Sequence, residues 1–223
     1  MVIFLLRPVK TLHQSAQDRS LVPQGRERSI PRLMLLLAST SVYRRELLAR
    51  LRLPFEVFSP MVDETPLTGE APESTALRLA ENKAKAGAHA LPGALVIGSD
   101  QVAEVDGERL DKPGEHARAV QQLTLLSGRS AMFHTAVALL NTQTGAVQKR
   151  LVPTRVYFRL LNSRQIEAYL RSEQPYDCAG SAKSEGLGIA LIRSIEGPDP
   201  TALIGLPLIA LTDMLAAEGV DIV

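Results

Sequence analysis

Leu33-Met34-Leu35-Leu36-Leu37-Ala38-Ser39-Thr40-Ser41-Val42-Tyr43-Arg44-Arg45-Glu46-Leu47-Leu48 reads as an apolar strand, a small hydroxyl-rich turn and a helix in direct succession. Leu33 to Leu37 supply the strand, and Leu47, Leu48 and Leu51 the apolar side of the helix. Ser41 is suited to cap that helix, its hydroxyl accepting from a backbone N–H of the first turn. Arg44 and Arg45 follow at once, although a helix N-terminus already carries about half a positive charge. A conflict between local rules of this kind often marks a functional site. An anion held by free N–H groups, hydroxyls and two guanidiniums resolves it, and phosphate is the obvious candidate. The alternative is a solvated helix start with its arginines in water.

Outward from this unit, strands and helices alternate. Pro54 to Pro60 predicts a short strand, leading through Val62-Asp63-Glu64-Thr65 into a Gly/Pro/Glu-rich loop that ends at Pro72. Glu73 to Ala90 predicts a helix closed by Pro92-Gly93. Ala94 to Gly98 is a continuous apolar run, as expected of a central buried strand. Glu115 to Leu126 predicts a further helix, stopped near Gly128. Ser130 to Leu140 and Val147 to Leu160 read as paired strands around a turn at Asn141 to Gly145. Asn162 or Ser163 caps a helix running to Arg171. A Gly/Ser-rich stretch from Ala179 to Gly188 precedes an expected strand at Ile189 to Ile192, and a last helix runs from near Pro207 to Gly219. The expected class is α/β, with a mixed sheet in two lobes around a central cleft.

The chain has 223 residues, 45% hydrophobic and 22% charged, enough to build a proper core. Its net charge of +1 is uneven: residues 1–33 carry +4, leaving −3 on the rest. A mildly acidic body argues against broad nucleic-acid binding, which needs a basic surface. Cys178 is the single cysteine, so no intramolecular disulfide forms and a reducing, cytoplasmic setting is expected. No apolar run approaches the roughly 20 residues that cross a bilayer, so no membrane partner is expected. Residues 1–31 lack sustained periodicity and read as a disordered extension ahead of a single domain over 32–223. Met34 is an alternative start.

Three charged positions stand out. On a helical wheel at about 100° per residue, Lys83 falls inside the arc formed by Ala76, Leu79, Ala80, Ala84 and Gly87. A lysine there must pair with an anion, snorkel or lose its proton. Asp100, in Gly98-Ser99-Asp100-Gln101, sits where the buried strand is expected to end, the place where ligands gather in open α/β sheets. A carboxylate there suits a metal ion or a general base, and Glu64 offers a second one. Either carboxylate alone also reads as a loop cap. Lys112, in Asp111-Lys112-Pro113, is weak by itself, and Lys183 and Glu185 read by default as part of a solvated loop. The chain has no Walker-type loop, no dinucleotide glycine motif and no Cys/His zinc spacing, and its histidines look unclustered. Basic groups for a polyphosphate, with carboxylates able to hold Mg²⁺, suggest metal-assisted attack of water on a phosphoanhydride.

From about Leu33 to Gly219 the sequence resembles the Maf family of nucleoside triphosphate pyrophosphatases. The resemblance rests on Ala38-Ser39-Thr40-Ser41 with Arg44-Arg45, on Val62-Asp63-Glu64, and on Glu81-Asn82-Lys83-Ala84. It continues through Gly98-Ser99-Asp100, Lys112-Pro113, Ser184-Glu185-Gly186-Leu187-Gly188 and Gly205-Leu206-Pro207-Leu208. It implies an inosine-triphosphatase-like fold, a divalent cation (Mg²⁺ or Mn²⁺), a homodimer and release of pyrophosphate. It also implies Asp100 as the proton acceptor that activates water, Ser39, Arg44, Lys83 and Lys112 as triphosphate ligands, and Glu64 with Asp100 at the metal. Tyr43, Gln101 and Glu185 look like the subgroup acting on 7-methyl-GTP. That ring is cationic, so Glu185 would favour it, Tyr43 would stack on it and Gln101 would hydrogen-bond its edge. Val42 and Tyr43 depart from the proline and tryptophan common at these positions. The competing expectations are a dTTP, UTP or other modified-nucleotide pyrophosphatase, and a non-catalytic nucleotide-binding regulator of septum formation.

Overall fold

The computed structural model describes residues 34–223, and the expected extension over 1–31 lies outside them. β1 (Met34–Ala38), α1 (Val42–Ala49) and β2 (Phe55–Phe58) open the fold. They are followed by α2 (Pro72–Gly87), β3 (Ala94–Val105), β4 (Glu108–Leu110) and α3 (His116–Leu126). β5 (Ser130–Asn141), β6 (Val147–Phe158), α4 (Ser163–Glu173), β7 (Ile192–Glu196) and α5 (Leu208–Ala217) complete it. One mixed sheet runs β2-β1-β3-β5-β6-β7, with β4 folded back on β3. β1 pairs parallel with β2 and β3, whereas β3, β5, β6 and β7 pair antiparallel in turn.

Side chains alternate between the faces of a strand. Leu35 and Leu37 of β1 meet α1 and α5 on one face, with Leu95 and Ile97 of β3. Leu36, Ala38 and Val96 meet the alanines of α2 on the other. A third apolar cluster, including Leu123, Phe133, Phe158 and Leu170, packs α3 and α4 against the far part of the sheet. Both faces of β1 and of the first half of β3 are therefore covered, which accounts for their unbroken apolar runs.

Three boundaries differ from expectation by three residues or more. β3 does not stop at Gly98 but continues to Val105. Its parallel partner β1 stops at the Ala38–Gly98 pair, while the antiparallel ladder to β5 carries on to the Glu104–Met132 pair. Asp100 is thus inside a strand, just past the carboxyl end of the parallel part. The strand expected at Ile189 to Ile192 begins only at Ile192, because Leu187–Leu191 is a 3-10 segment. Gly188 explains the shift: a Cβ there would lie 2.5 Å from the Lys183 carbonyl oxygen, so this stretch curls back on Lys183 instead of extending. α2 ends at Gly87, short of Ala90.

Candidate active site

The β1–α1 turn, the loop before α2, the middle of β3 and the segment 177–185 wall a cavity of about 1210 Å³. At its floor Lys83 and Asp100 are buried, with 6% and 7% of their surface exposed. The Lys83 Nζ donates to Asp100 Oδ1 at 2.7 Å and lies 2.6 Å from Glu64 Oε1. The lysine on the apolar arc is therefore paired, with a carboxylate on each side. Burial works to raise the Glu64 carboxyl, but the Lys83 hydrogen bond and the charges of Lys83, Lys112 and Arg44 outweigh it, so the carboxyl stays below its ordinary range. Two carboxylates converging on the Lys83 ammonium are hard oxygen donors of the kind that can also hold a divalent metal ion.

The close approach of α2 to β3 creates this pairing. Gly98 has no side chain, and Ala80 and Ala84 present only methyl groups, so the helix lies directly on the strand. Glu64 is held by its own loop: Arg78 donates to Glu70 at 2.7 and 2.6 Å and to the Thr65 carbonyl at 3.2 Å. That clamp ties the segment carrying Glu64 to the helix carrying Lys83.

On the opposite wall, the Ser41 Oγ accepts from the Arg44 N–H at 3.4 Å, the cap expected from the sequence. The buried Ser39 Oγ accepts from the Ser41 N–H at 3.1 Å. Arg44 is partly open to the cavity but otherwise enclosed by protein, and its Nε donates to the Gly205 carbonyl at 2.8 Å. Burial lowers its pKa, against the raising effect of Asp100 and Glu64. The Ser99 Oγ also lies 2.8 Å from the Gly205 oxygen, a backbone anchor that no side-chain pattern announces. The exposed Lys112 lies on the cavity rim, whereas Arg45 is exposed and not among its lining residues.

At the far end, Tyr43, Cys178, Lys183 and Glu185 meet. The Tyr43 hydroxyl donates to Asp177 Oδ2 at 3.4 Å. Burial, then the neighbouring Cys178, Asp177 and Glu185, raise its pKa. Lys183 places its Nζ 5.4 Å from the centre of the Tyr43 ring, steadied by Glu173 at 3.0 Å. Lys183 is not simply part of a solvated loop, as its sequence setting suggests, but sits in a cation–π contact inside the cavity. Burial and Asp177 push the Cys178 thiol up to about 12, which disfavours the nucleophilic thiolate. Gln101 points to the opposite face from Asp100. Its Nε2 has Thr135 Oγ1, Ala202 O and Leu203 O within hydrogen-bond distance at 2.8, 3.1 and 3.0 Å, which commits both of its hydrogens and leaves Oε1 as the atom able to meet a ligand.

Residues 34–218 match the family described as Maf-like protein. The chain belongs to the Maf family. It is similar to proteins named 7-methyl-GTP pyrophosphatase from Thiobacillus denitrificans, at 66% identity over 84% of this chain and 94% of that protein, and from Methylobacillus flagellatus, at 61% over 85% and 98%. A third so named, from Nitrosospira multiformis, is 58% identical over 85% of this Maf chain and 96% of its own length. Among solved structures, a dITP/XTP pyrophosphatase from Mycobacterium abscessus aligns at 19% identity and a TM-score of 0.38, covering 64% of this chain and 96% of that one. No helix among the described residues of this Maf chain is long and apolar enough to cross a membrane.

One sequence expectation is overturned outside the cavity. His134 is not isolated: it meets Glu73 and Glu104 across three elements. His116 likewise lies 3.0 Å from the Tyr176 hydroxyl and 3.2 Å from Glu167.

Proposed function

We propose that this chain hydrolyses 7-methyl-GTP to 7-methyl-GMP and pyrophosphate. The observation that carries this reading is Lys83, held between Asp100 and Glu64 at the floor of a cavity whose far end is lined by Tyr43 and Glu185. The triphosphate lies along the floor, met by Lys83, Lys112, the Arg44 guanidinium, Ser39 and the free N–H groups at the start of α1. Asp100 holds the attacking water. Lys83 orients the Asp100 carboxylate through Oδ1, and that carboxylate takes the proton. The water oxygen bonds to the α-phosphorus, the bond from that phosphorus to the bridging oxygen breaks, and pyrophosphate leaves with the electron pair. Asp100 and Glu64 would hold a divalent cation, Mg²⁺ or Mn²⁺, which supplies charge neutralisation to the phosphates.

The base subsite favours a cationic ring. Tyr43 offers a face already occupied by one ammonium, that of Lys183. Glu185, Asp177 and Glu173 outnumber that charge nearby. The working form is a homodimer, as the family resemblance implies, in the reducing cytoplasm that a single cysteine suits, with the chemistry confined to 32–223.

Pyrophosphate release across 7-methyl-GTP, GTP, dTTP and UTP, each with Mg²⁺ or Mn²⁺, tests the proposal. The expected result is a clear preference for 7-methyl-GTP. Preference for dTTP or UTP overturns the base subsite and keeps the chemistry. Binding without turnover of any of them overturns the chemistry and favours a regulator.

A further inference from the structure

We propose that Glu73, Glu104 and His134 form a divalent transition-metal site, separate from the cavity, that joins the first turn of α2 to the sheet. Glu104 and His134 come together because Val102 pairs with His134 and Glu104 with Met132 in the β3–β5 ladder. Glu73 reaches them from the first turn of α2. One donor atom from each residue lies within 4.8 Å of the others. None of the three lines the cavity. Glu104 is four residues beyond Asp100 on β3, about 13 Å along the strand.

His134 is the observation that points to an ion. It is only 5% exposed, and its Nδ1 is buried without any hydrogen-bond partner. A buried orphan nitrogen is costly and asks for an explanation. Nε2 lies 3.0 Å from Glu104 Oε1, a hydrogen-bond distance, so with Nδ1 on the ion the Nε2–H donates to Glu104, which orients the ring. Nδ1 faces Glu73 Oε1 at 3.7 Å, too far for a hydrogen bond. Donors bound to one tetrahedral Zn²⁺ at about 2.0–2.1 Å stand roughly 3.3 Å apart, so a small turn of the half-exposed Glu73 side chain closes the gap. An imidazole Nδ1 beside the Glu73 carboxylate, with its Nε2–H held by a second carboxylate, suits Zn²⁺ or Mn²⁺ better than Mg²⁺. An ion here would fix α2 at the end away from Lys83.

The test is Zn²⁺ binding by equilibrium dialysis to the full chain carrying Asp100→Asn, which weakens the cavity's own carboxylate pair. The expected result is about one Zn²⁺ per chain, a higher Tm when Zn²⁺ is added, and Zn²⁺ affinity at least about tenfold weaker once His134→Gln or Glu104→Gln is added. Co²⁺ in place of Zn²⁺ should give a visible absorption band that disappears with His134→Gln. Equal Zn²⁺ affinity with and without His134→Gln overturns the proposal, as does no Zn²⁺ bound by the Asp100→Asn chain. Either result leaves His134 as an imidazole bridging two carboxylates. If the His134 variant does not fold, Glu73→Gln at the helix start decides the matter: weakened Zn²⁺ binding supports the site and unchanged binding overturns it.

Discussion

Gly98 and Ala80 approach so closely that a methyl group on Gly98 would lie 2.1 Å from the Ala80 carbonyl oxygen and 2.6 Å from the Ala84 nitrogen. Both are backbone atoms of α2, so the helix cannot yield by a rotamer change. Gly98→Ala should therefore lift α2 off β3 and pull Lys83 away from Asp100. Overpacking typically costs about 1–3 kcal/mol, and the rigid neighbours here favour the upper part of that range. Urea denaturation should show this loss, and kcat at saturating substrate should fall by at least about tenfold. Unchanged kcat in a folded variant would separate catalysis from this contact.

Lys83 and Asp100 form a buried pair in which each satisfies the other. Removing one partner of such a pair leaves an uncompensated charge and costs about 3–5 kcal/mol, whereas removing both often costs far less. Lys83→Met should thus destabilise more than the Lys83→Met/Asp100→Asn double variant. Neither should turn over substrate. The coupling is read from a double-mutant cycle of unfolding free energies. Additive effects would mean that Glu64 alone supports the lysine.

These two contacts also show what the sequence could and could not reveal. Lys83 was legible because one lysine interrupts an alanine-rich arc of helical period. Asp100 was legible because it follows an apolar run. The extent of its strand was not, since Ser99-Asp100-Gln101 looks like a polar exit from the core. Ser99 and Asp100 are buried and Gln101 partly so, because Ser99 and Gln101 bind carbonyls of the 202–205 turn, which lies a hundred positions away. Lys183 was hidden for a similar reason: its cation–π contact with Tyr43 depends on how Gly188 bends the chain. His134 looked solitary because its neighbours come from α2 and β3. Periodicity reports the face of an element, not which face of another element it meets.

Glu70 predicts how the loop carrying Glu64 responds to acid. The Arg78 hydrogen bonds, helped by the Leu67 N–H and the Thr75 hydroxyl, hold its carboxyl down at about 2. The folded value is depressed below the ordinary one of about 4.5. Its stabilising contribution is therefore fully present above about 4.5 and is lost as pH falls through about 2. The gap in unfolding free energy between wild type and Glu70→Gln should be constant above about pH 5 and shrink steadily towards pH 2. At neutral pH, Glu70→Gln should also lower kcat several-fold by loosening Glu64. A gap that stays the same at all pH values would show that the clamp does not depend on the charge of Glu70.

In the proposed binding mode, Glu185 and Lys183 act in opposite senses on a ring stacked over Tyr43. Glu185→Gln removes a negative charge from beside a cationic base and leaves a neutral one almost untouched. kcat/KM for 7-methyl-GTP should fall by about tenfold, or about 1.4 kcal/mol, with a much smaller change for GTP. Lys183→Gln removes the ammonium that now lies 5.4 Å from the Tyr43 ring centre, and with it a like charge that a methylated guanine must displace or face. That variant should shift the ratio of kcat/KM values towards 7-methyl-GTP. Salt distinguishes charge from shape here, because screening of exposed groups weakens both effects at about 1 M ionic strength, where the Debye length is about 3 Å. Equal losses for the two nucleotides in Glu185→Gln would mean that Glu185 shapes the pocket instead of reading the charge. Selectivity would then rest on Tyr43 stacking, and Tyr43→Leu would be the variant that abolishes it.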